Sequence, residues 1–154
     1  MTITVIRVRT PAHLQEAWAV RREVFIAEQG VSEAEEIDGR DEAPTTHHVL
    51  ARSGPRAVGT ARLLVDAPGR VHIGRVAVVR AARGRGVGAL LMDALEEIAA
   101  REFADPTGAV RVELSAQEEA IGFYRRLGYT IDPGRYLDAR IWHQDAHKTV
   151  RARA

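Results

Sequence analysis

The chain has 154 residues, of which 45% are hydrophobic; its formal net charge is +1 and it contains no cysteine. That length suits one domain, 1–154, with its own core, and the absence of thiols excludes disulfides, thiolate zinc sites and a cysteine nucleophile. Near-neutrality gives no overall field toward nucleic acid or membrane, the alternating start lacks the apolar core of a signal peptide, and no run approaches the ~18 apolar residues of a membrane span, so a soluble, cytoplasmic protein is predicted.

Thr2 to Arg9 alternates as a strand does. Thr10 followed by Pro11 predicts a helix start, a cap and then proline at the first helical position. Leu14, Ala17, Trp18, Arg21, Val24 and Phe25 keep helical spacing to about Gln29, and Gly30 predicts the stop. Residues 31–46 read as an acidic loop with room for a short helix. Between Glu28 and Glu42 seven carboxylates face one cation, Arg40. They form either a solvated loop or an electronegative lip that attracts a cationic substrate such as an amine.

His47 to Arg52 and Arg56 to Val65 predict two strands joined at Ser53-Gly54-Pro55, and Pro68-Gly69 the next turn. Arg70 to Arg80 predicts another strand, whose run Val76, Ala77, Val78, Val79 suggests a central position buried on both faces. From Gly86 to Glu102, Val87, Leu90, Leu91, Ala94, Leu95 and Ile98 share one helical face and Asp93, Glu96 and Glu97 lie on the other. Val110 to Leu114 predicts a strand; Ala120, Phe123, Tyr124 and Leu127 a shorter helix closed by Gly128. Tyr129 to Ile131 and Tyr136 to Trp142 predict the last strand pair, broken at Pro133-Gly134, and residues 145–154 a frayed tail. The order β-α-(α)-β-β-β-α-β-α-β-β gives an α/β or α+β class, a mixed sheet flanked by helices.

The most informative feature is Arg83-Gly84-Arg85-Gly86-Val87-Gly88, between an apolar strand and an amphipathic helix. A glycine turn opening a helix aims free backbone N–H groups, with the positive end of the helix dipole, at one spot, and so predicts a phosphate or pyrophosphate site. Glycine lets a ligand approach the backbone, and Arg83 and Arg85 stay charged near neutral pH. Gly84-x-Gly86-x-x-Ala89 also fits a dinucleotide fingerprint, with Glu113 roughly where a ribose-binding acid belongs; an NAD-binding half is therefore one reading. Against it, Arg80 to Arg83 separates strand from glycine and one further βα unit follows. No Gly-Lys-Ser/Thr supports a Walker loop, and a plain structural turn is the remaining reading.

The same residues carry a resemblance. Arg83 to Gly88 is similar to the Arg/Gln-x-x-Gly-x-Gly pyrophosphate loop of the GNAT N-acetyltransferase superfamily. Arg75-Val76-Ala77-Val78 looks like that family's central strand, and Ala120 to Tyr129 resembles its second signature. Arg22 to Val31, then Glu36-Ile37-Asp38, Asp41 and His47, resemble the small bacterial subgroup similar to YjcF and ElaA. That subgroup often closes with Asp-Ala-Gly-Ile-Pro-His. Here the segment is Asp138-Ala139-Arg140-Ile141-Trp142-His143, with arginine and tryptophan in place of glycine and proline.

The resemblance spans nearly the whole chain and implies a mostly antiparallel central sheet with splayed central strands. It implies acetyl-CoA as donor, CoA as product and a small-molecule or peptide amine as acceptor. Val76, Ala77 and Val78 would meet the pantetheine arm; Arg83, Gly84, Arg85, Gly86, Val87, Gly88 and Ala89 would hold the pyrophosphate. A backbone N–H near Ala77 or Val78 would bind the oxyanion. Gln117 lies near where relatives place an asparagine on the cofactor arm. Tyr124 would be the acid for the leaving thiolate, or else simply core. Many relatives carry a base where this chain has Gly74; Glu113 is the candidate in its stead, beside Glu36, Asp38, Asp41, His47, His143 and ordered water. A CoA-binding module without transfer is the alternative function. The histidines lack metal-ligand spacing, so no metal is expected. Tyr136, Ile141 and Trp142 are either core or the face of a homodimer.

Overall fold

The computed structural model describes residues 2–153. The chain folds as two compact units interleaved in sequence. One comprises the chain up to Leu64 together with Arg75–Leu95; the other comprises Val65–Gly74 and the chain from Glu96 onward.

In the first unit, β1 (Ile3–Arg7) pairs antiparallel with β2 (Thr46–Ser53), from Ile3↔Ser53 to Arg7↔Val49. β2 pairs antiparallel with β3 (Arg56–Ala67), which runs past Leu64 into the second unit, from Thr46↔Leu64 to Ser53↔Arg56, with a register shift at Ala51/Arg52. Between β1 and β2 the cap forms as the sequence dictates. Thr10 is extended and its hydroxyl accepts the His13 N–H at 3.1 Å, with Pro11 beginning α1 (Pro11–Arg21). The predicted regular helix to Gln29 is corrected here: after Arg21 the chain widens into a π-helix, Arg22–Glu28, before Gly30 turns at φ 74°. A short α2 (Glu33–Glu36) follows, held by a reciprocal Ser32–Glu35 capping box.

β4 (Arg70–Val78) begins in the second unit and ends in the first, and α3 (Val87–Glu102) runs from the first into the second. Burial along β4 alternates: Val71, Ile73 and Ala77 are buried, whereas Val76 and Val78 are half-buried. The expected double burial is thereby corrected; one face of the strand is left partly open. Val87, Leu91 and Leu95 of the predicted apolar stripe are buried on α3; the stripe is corrected at Leu90, which is exposed, and at Met92, which lies outside it and is fully buried.

In the second unit, β4 and β5 (Ala109–Gln117) pair in parallel over Arg70–His72 with Arg111–Glu113. α4 (Ile121–Arg126) leads to β6 (Thr130–Ile131), β7 (Tyr136–Asp138) and β8 (Ile141–Arg151). β8 pairs antiparallel with all of β5, from Ala109↔Arg151 to Gln117↔His143, and takes β6 and β7 on its other side. The frayed tail is thus corrected through Arg151. Ala146 is buried opposite Leu114, and Lys148 donates to the Leu127 carbonyl at 2.7 Å. Among the described residues the strand order is β1-β2-β3-β4-β5-β8-β6, with β7 on β8. The class is the predicted mixed, mostly antiparallel sheet with flanking helices.

Candidate functional site

The end of β4 and the start of α3 build a helix-opening turn in the first unit. Val79 N–H bonds to the Val58 carbonyl at 2.9 Å, anchoring β4 to β3, and a 3₁₀ turn over Arg80–Ala82 follows. Gly84 and Gly86 both sit at φ 77°, in the left-handed region that glycine enters without a Cβ clash. A Cβ placed on either would meet nothing within 4 Å, so the space over this turn is open. Val87, Gly88 and Ala89 then form the first turn of the 16-residue α3. Their N–H groups lie among the first of the helix, which have no intrahelical acceptor, and the helix dipole adds positive potential there.

Arg83 is anchored on both sides of the turn. Its Nε donates to the Val78 carbonyl at 2.9 Å and its Nη2 to Glu28 at 2.8 Å; Arg80 reaches the same carboxylate at 3.3 Å. The Arg83 hydrogen bond is the main cause of a lowered Glu28 pKa. The π-helix therefore ends against the glycine turn through one carboxylate and two guanidiniums.

Three carboxylates of the acidic segment, Glu36, Asp38 and Asp41, turn inward, whereas Glu33, Glu35 and Glu42 stay exposed. Arg21 is buried and donates from Nε to Glu36 at 2.8 Å and from Nη1 to Asp41 at 2.7 Å. Arg62 reaches Asp38 at 2.7 Å and Asp41 at 3.1 Å, while Trp18 donates its indole N–H to Asp41 at 2.8 Å. Arg75 lies 2.9 Å from the Glu36 carboxylate and 3.2 Å from that of Asp38. Three guanidiniums thus meet three carboxylates, and the attractive field expected for a cationic substrate is largely cancelled at these positions.

Burial works against the charged form of Asp41. The hydrogen bond and charge of Arg21, joined by Trp18 and Arg62, outweigh it and hold the carboxyl down at about 2. For Glu36 burial prevails over Arg75, Arg21 and Arg62, and its pKa is raised. His48 is buried with Nε2 3.0 Å from the Asp41 carbonyl, and burial lowers its pKa. His47 Nδ1 accepts from Arg7 at 3.0 Å. Both histidines, like Glu36, Asp38 and Asp41, hold structural partners.

The second unit carries the other predicted residues. Tyr124 is buried on α4, edge-on to Phe123 at 5.0 Å and to Tyr129 at 5.8 Å between ring centres. Burial pushes its hydroxyl up to about 12, so it keeps its proton at neutral pH. Gln117 ends β5, opposite His143. His143 lies 2.7 Å from the Ile141 carbonyl through Nδ1 and stacks on Tyr136.

Glu113 does not fit the role of base. It sits opposite His72 on the parallel ladder, hydrogen-bonded and ion-paired to Arg70, with Arg111 at 3.9 Å. The Arg70 hydrogen bond is the first cause of its lowered pKa. A carboxylate held in its charged form by a guanidinium accepts a proton less readily than a free one.

The residues that sequence reading missed are Arg62 and Arg75, together with the inward role of Arg21 and Trp18. The available signal was Arg21 itself, a cation on the apolar stripe of a helix, which implies a buried carboxylate partner.

A family model described as the acetyltransferase (GNAT) family matches residues 13–129. The chain is 36% identical over 132 residues to YjcF of Bacillus subtilis (strain 168), carried under the name of an uncharacterized N-acetyltransferase. That match covers 84% of this chain and 88% of YjcF. Its structure is similar to that of Escherichia coli ElaA, with a TM-score of 0.81 and 28% identity over 94% of this chain and 99% of the other. It is also similar to an acyl-CoA N-acyltransferase from Pseudomonas aeruginosa, with a TM-score of 0.82 and 32% identity over 96% and 99% of the two chains.

Proposed function

The chain belongs to the GNAT acetyltransferase family of acyl-CoA-dependent N-acyltransferases, and from that premise we propose that it moves an acetyl group from acetyl-CoA to a primary amine of a small molecule or peptide. The observation that carries this reading is the open turn at Gly84 and Gly86, two left-handed glycines with no atom where a Cβ would stand, leading into α3. That shape and the cations Arg83 and Arg85 fit a diphosphate.

In this reading the backbone from Arg83 to Ala89 holds the pyrophosphate, and Val76 and Val78 offer main-chain groups to the extended pantetheine arm. The thioester supplies an activated acetyl carbonyl. The amine nitrogen bonds to that carbon as the C–S bond breaks. A backbone N–H near Ala77 or Val78 steadies the negative oxygen, and Tyr124, protonated at neutral pH, gives its proton to the departing sulfur. With Gly74 bearing no side chain and Glu113 engaged by Arg70, the amine proton leaves through water. Gln117 assists on the cofactor arm.

A CoA-binding module without transfer is the second reading, favoured by the same two facts about Gly74 and Glu113. Thermal stabilisation by acetyl-CoA, CoA and NAD, followed by acetyl-CoA consumption across a panel of primary amines, separates the readings. A CoA-selective shift that collapses in Arg83→Ala, with turnover, is the expected result. Binding without turnover supports the module, and a shift with NAD alone overturns both.

A further inference from the structure

Arg75 is a non-glycine residue at φ 52° inside β4, immediately before Val76. The left-handed region disfavours side chains with a Cβ, and such a residue persists where its surroundings over-determine it. Here they do. The Arg75 guanidinium meets the Glu36 carboxylate at 2.9 Å, the Asp38 carboxylate at 3.2 Å, and the carbonyls of Glu36 and Glu35 at 3.3 Å each. Each of these carboxylates is itself fixed. Arg21 donates to the Glu36 carboxylate and to its carbonyl, both at 2.8 Å, and Arg62 holds Asp38 at 2.7 Å. Gly74 beside it has nothing within 4 Å of a Cβ position, so crowding there does not force the bend.

We infer that Arg75 is a positioning residue, whose guanidinium, clamped by Glu36 and Asp38, holds the left-handed bend in β4 and so aims the main-chain groups of Val76, Ala77 and Val78. The structural half of this inference stands on the geometry alone; its catalytic consequence rests on the acyl-transfer reading above. Backbone donors act only when aimed at the position where charge develops, and misplacement of about 1 Å far from the chemistry can cost on the order of 10²-fold in rate. Glu36 and Asp38 of the acidic segment thereby supply the anionic socket for one arginine of the central strand.

The test uses the full chain with Arg75→Gly, Arg75→Lys and Glu36→Gln. Glycine accepts the positive φ, so Arg75→Gly removes the tether and leaves the bend sterically allowed. Hydrogen exchange is followed at the Val79 amide, which bonds Val58 at 2.9 Å, and at the Leu50 amide in β2 as an internal reference. In Arg75→Gly the Val79 amide should exchange at least about 10-fold faster with Leu50 unchanged, and kcat/KM for acetyl-CoA should fall about 10-fold or more. Arg75→Lys should recover part of both, and Glu36→Gln should move both in the same direction as Arg75→Gly. Unchanged Val79 exchange overturns the tether whatever the activity does. Equal acceleration at Val79 and Leu50 also overturns it, because it reveals a general loss of stability. If the wild-type protein binds acetyl-CoA but transfers nothing, the acyl-transfer reading and the catalytic consequence fall, while Val79 exchange still decides the tether.

Discussion

The Arg83 guanidinium donates to the Glu28 carboxylate at 2.8 Å, so one cation of the glycine turn already has an anionic partner. A diphosphate arriving at that turn competes with Glu28 for the same donors. Glu28→Gln should therefore tighten acetyl-CoA binding, on the order of 3-fold at low salt, the scale of an exposed ion pair. The gain should shrink as ionic strength rises. Titration calorimetry at two salt concentrations checks this; weaker binding in the variant would mean that Glu28 instead preorganises Arg83.

Tyr124 is buried and its hydroxyl is pushed up to about 12. Tyr124→Phe should lower kcat by about 10²-fold or more, the scale of a positioned general acid, and leave acetyl-CoA affinity unchanged. Because the proton is retained, Tyr124 should contribute no falling limb to the rate profile below about pH 10. Full turnover by the phenylalanine variant at saturating acetyl-CoA would remove the acid role.

The buried network predicts a direction for acid stability. Asp41 is held at about 2 against an ordinary aspartate value of 3.8, so its contribution is fully present above that value and disappears as pH falls toward 2. The shift corresponds to roughly 2 kcal/mol. Glu36 is shifted upward and takes its proton at higher pH, so it does not offset the loss in that window. Asp41→Asn leaves Arg21 and Arg62 short of a counter-charge and should cost about 3 kcal/mol at neutral pH. Urea unfolding at several pH values should show the gap between variant and wild type narrowing as pH falls from about 4 toward 2.

Gly59 on β3 is a packing constraint. A Cβ there would lie 3.0 Å from Leu91 Cδ1, 3.1 Å from Val87 Cγ1 and 3.2 Å from the Ala77 carbonyl oxygen. The leucine can rotate, but the carbonyl belongs to the strand that leads into the glycine turn. Gly59→Ala should destabilise by about 1–3 kcal/mol, as overpacking does, and should also weaken acetyl-CoA binding. Unfolding midpoints read beside acetyl-CoA affinity check both; a stable variant with intact binding would show that α3 yields freely.

The β7–β8 turn carries Ala139 at φ 48° and Arg140 at φ 65°, two consecutive left-handed residues without a glycine. Arg140→Gly relieves strain of about 1–3 kcal/mol and gives back part of it as entropy of the unfolded chain. A net stabilisation of roughly 0.5–1 kcal/mol is expected from urea unfolding, and a loss of stability would show that Arg140 contacts outweigh its backbone strain.

The helix start at Thr10-Pro11, the glycine turn, the α3 stripe apart from Leu90 and Met92, and the class of the fold were readable because they depend on near neighbours in sequence. Caps, turns and 3.6-residue periodicity are local. The single strand predicted over Tyr136 to Trp142 is split at Ala139–Arg140 into β7 and the first two residues of β8; beyond Trp142 the sequence HQDAHKTVR lacks strong apolar alternation, and its partner β5 lies far back in the chain, Gln117 being the nearest paired residue of that strand. The π-helical widening after Arg21 left no signature in the apolar spacing.

The sequence by itself determined a chain with the strand, glycine turn and helix of a GNAT acetyltransferase, because each of these is written in residues a few positions apart. Only the tertiary structure decided which charges remain available. Arg21 meets Asp41 across 20 positions, Arg75 meets Glu36 across 39, and Arg70 meets Glu113 across 43. Coulomb attraction depends on distance in space and on burial, neither of which the order of residues records. So Glu36, Asp38 and Asp41, part of a run that reads as either a solvated loop or an acidic lip, become a paired socket, and a glutamate that reads as a base becomes half of an ion pair.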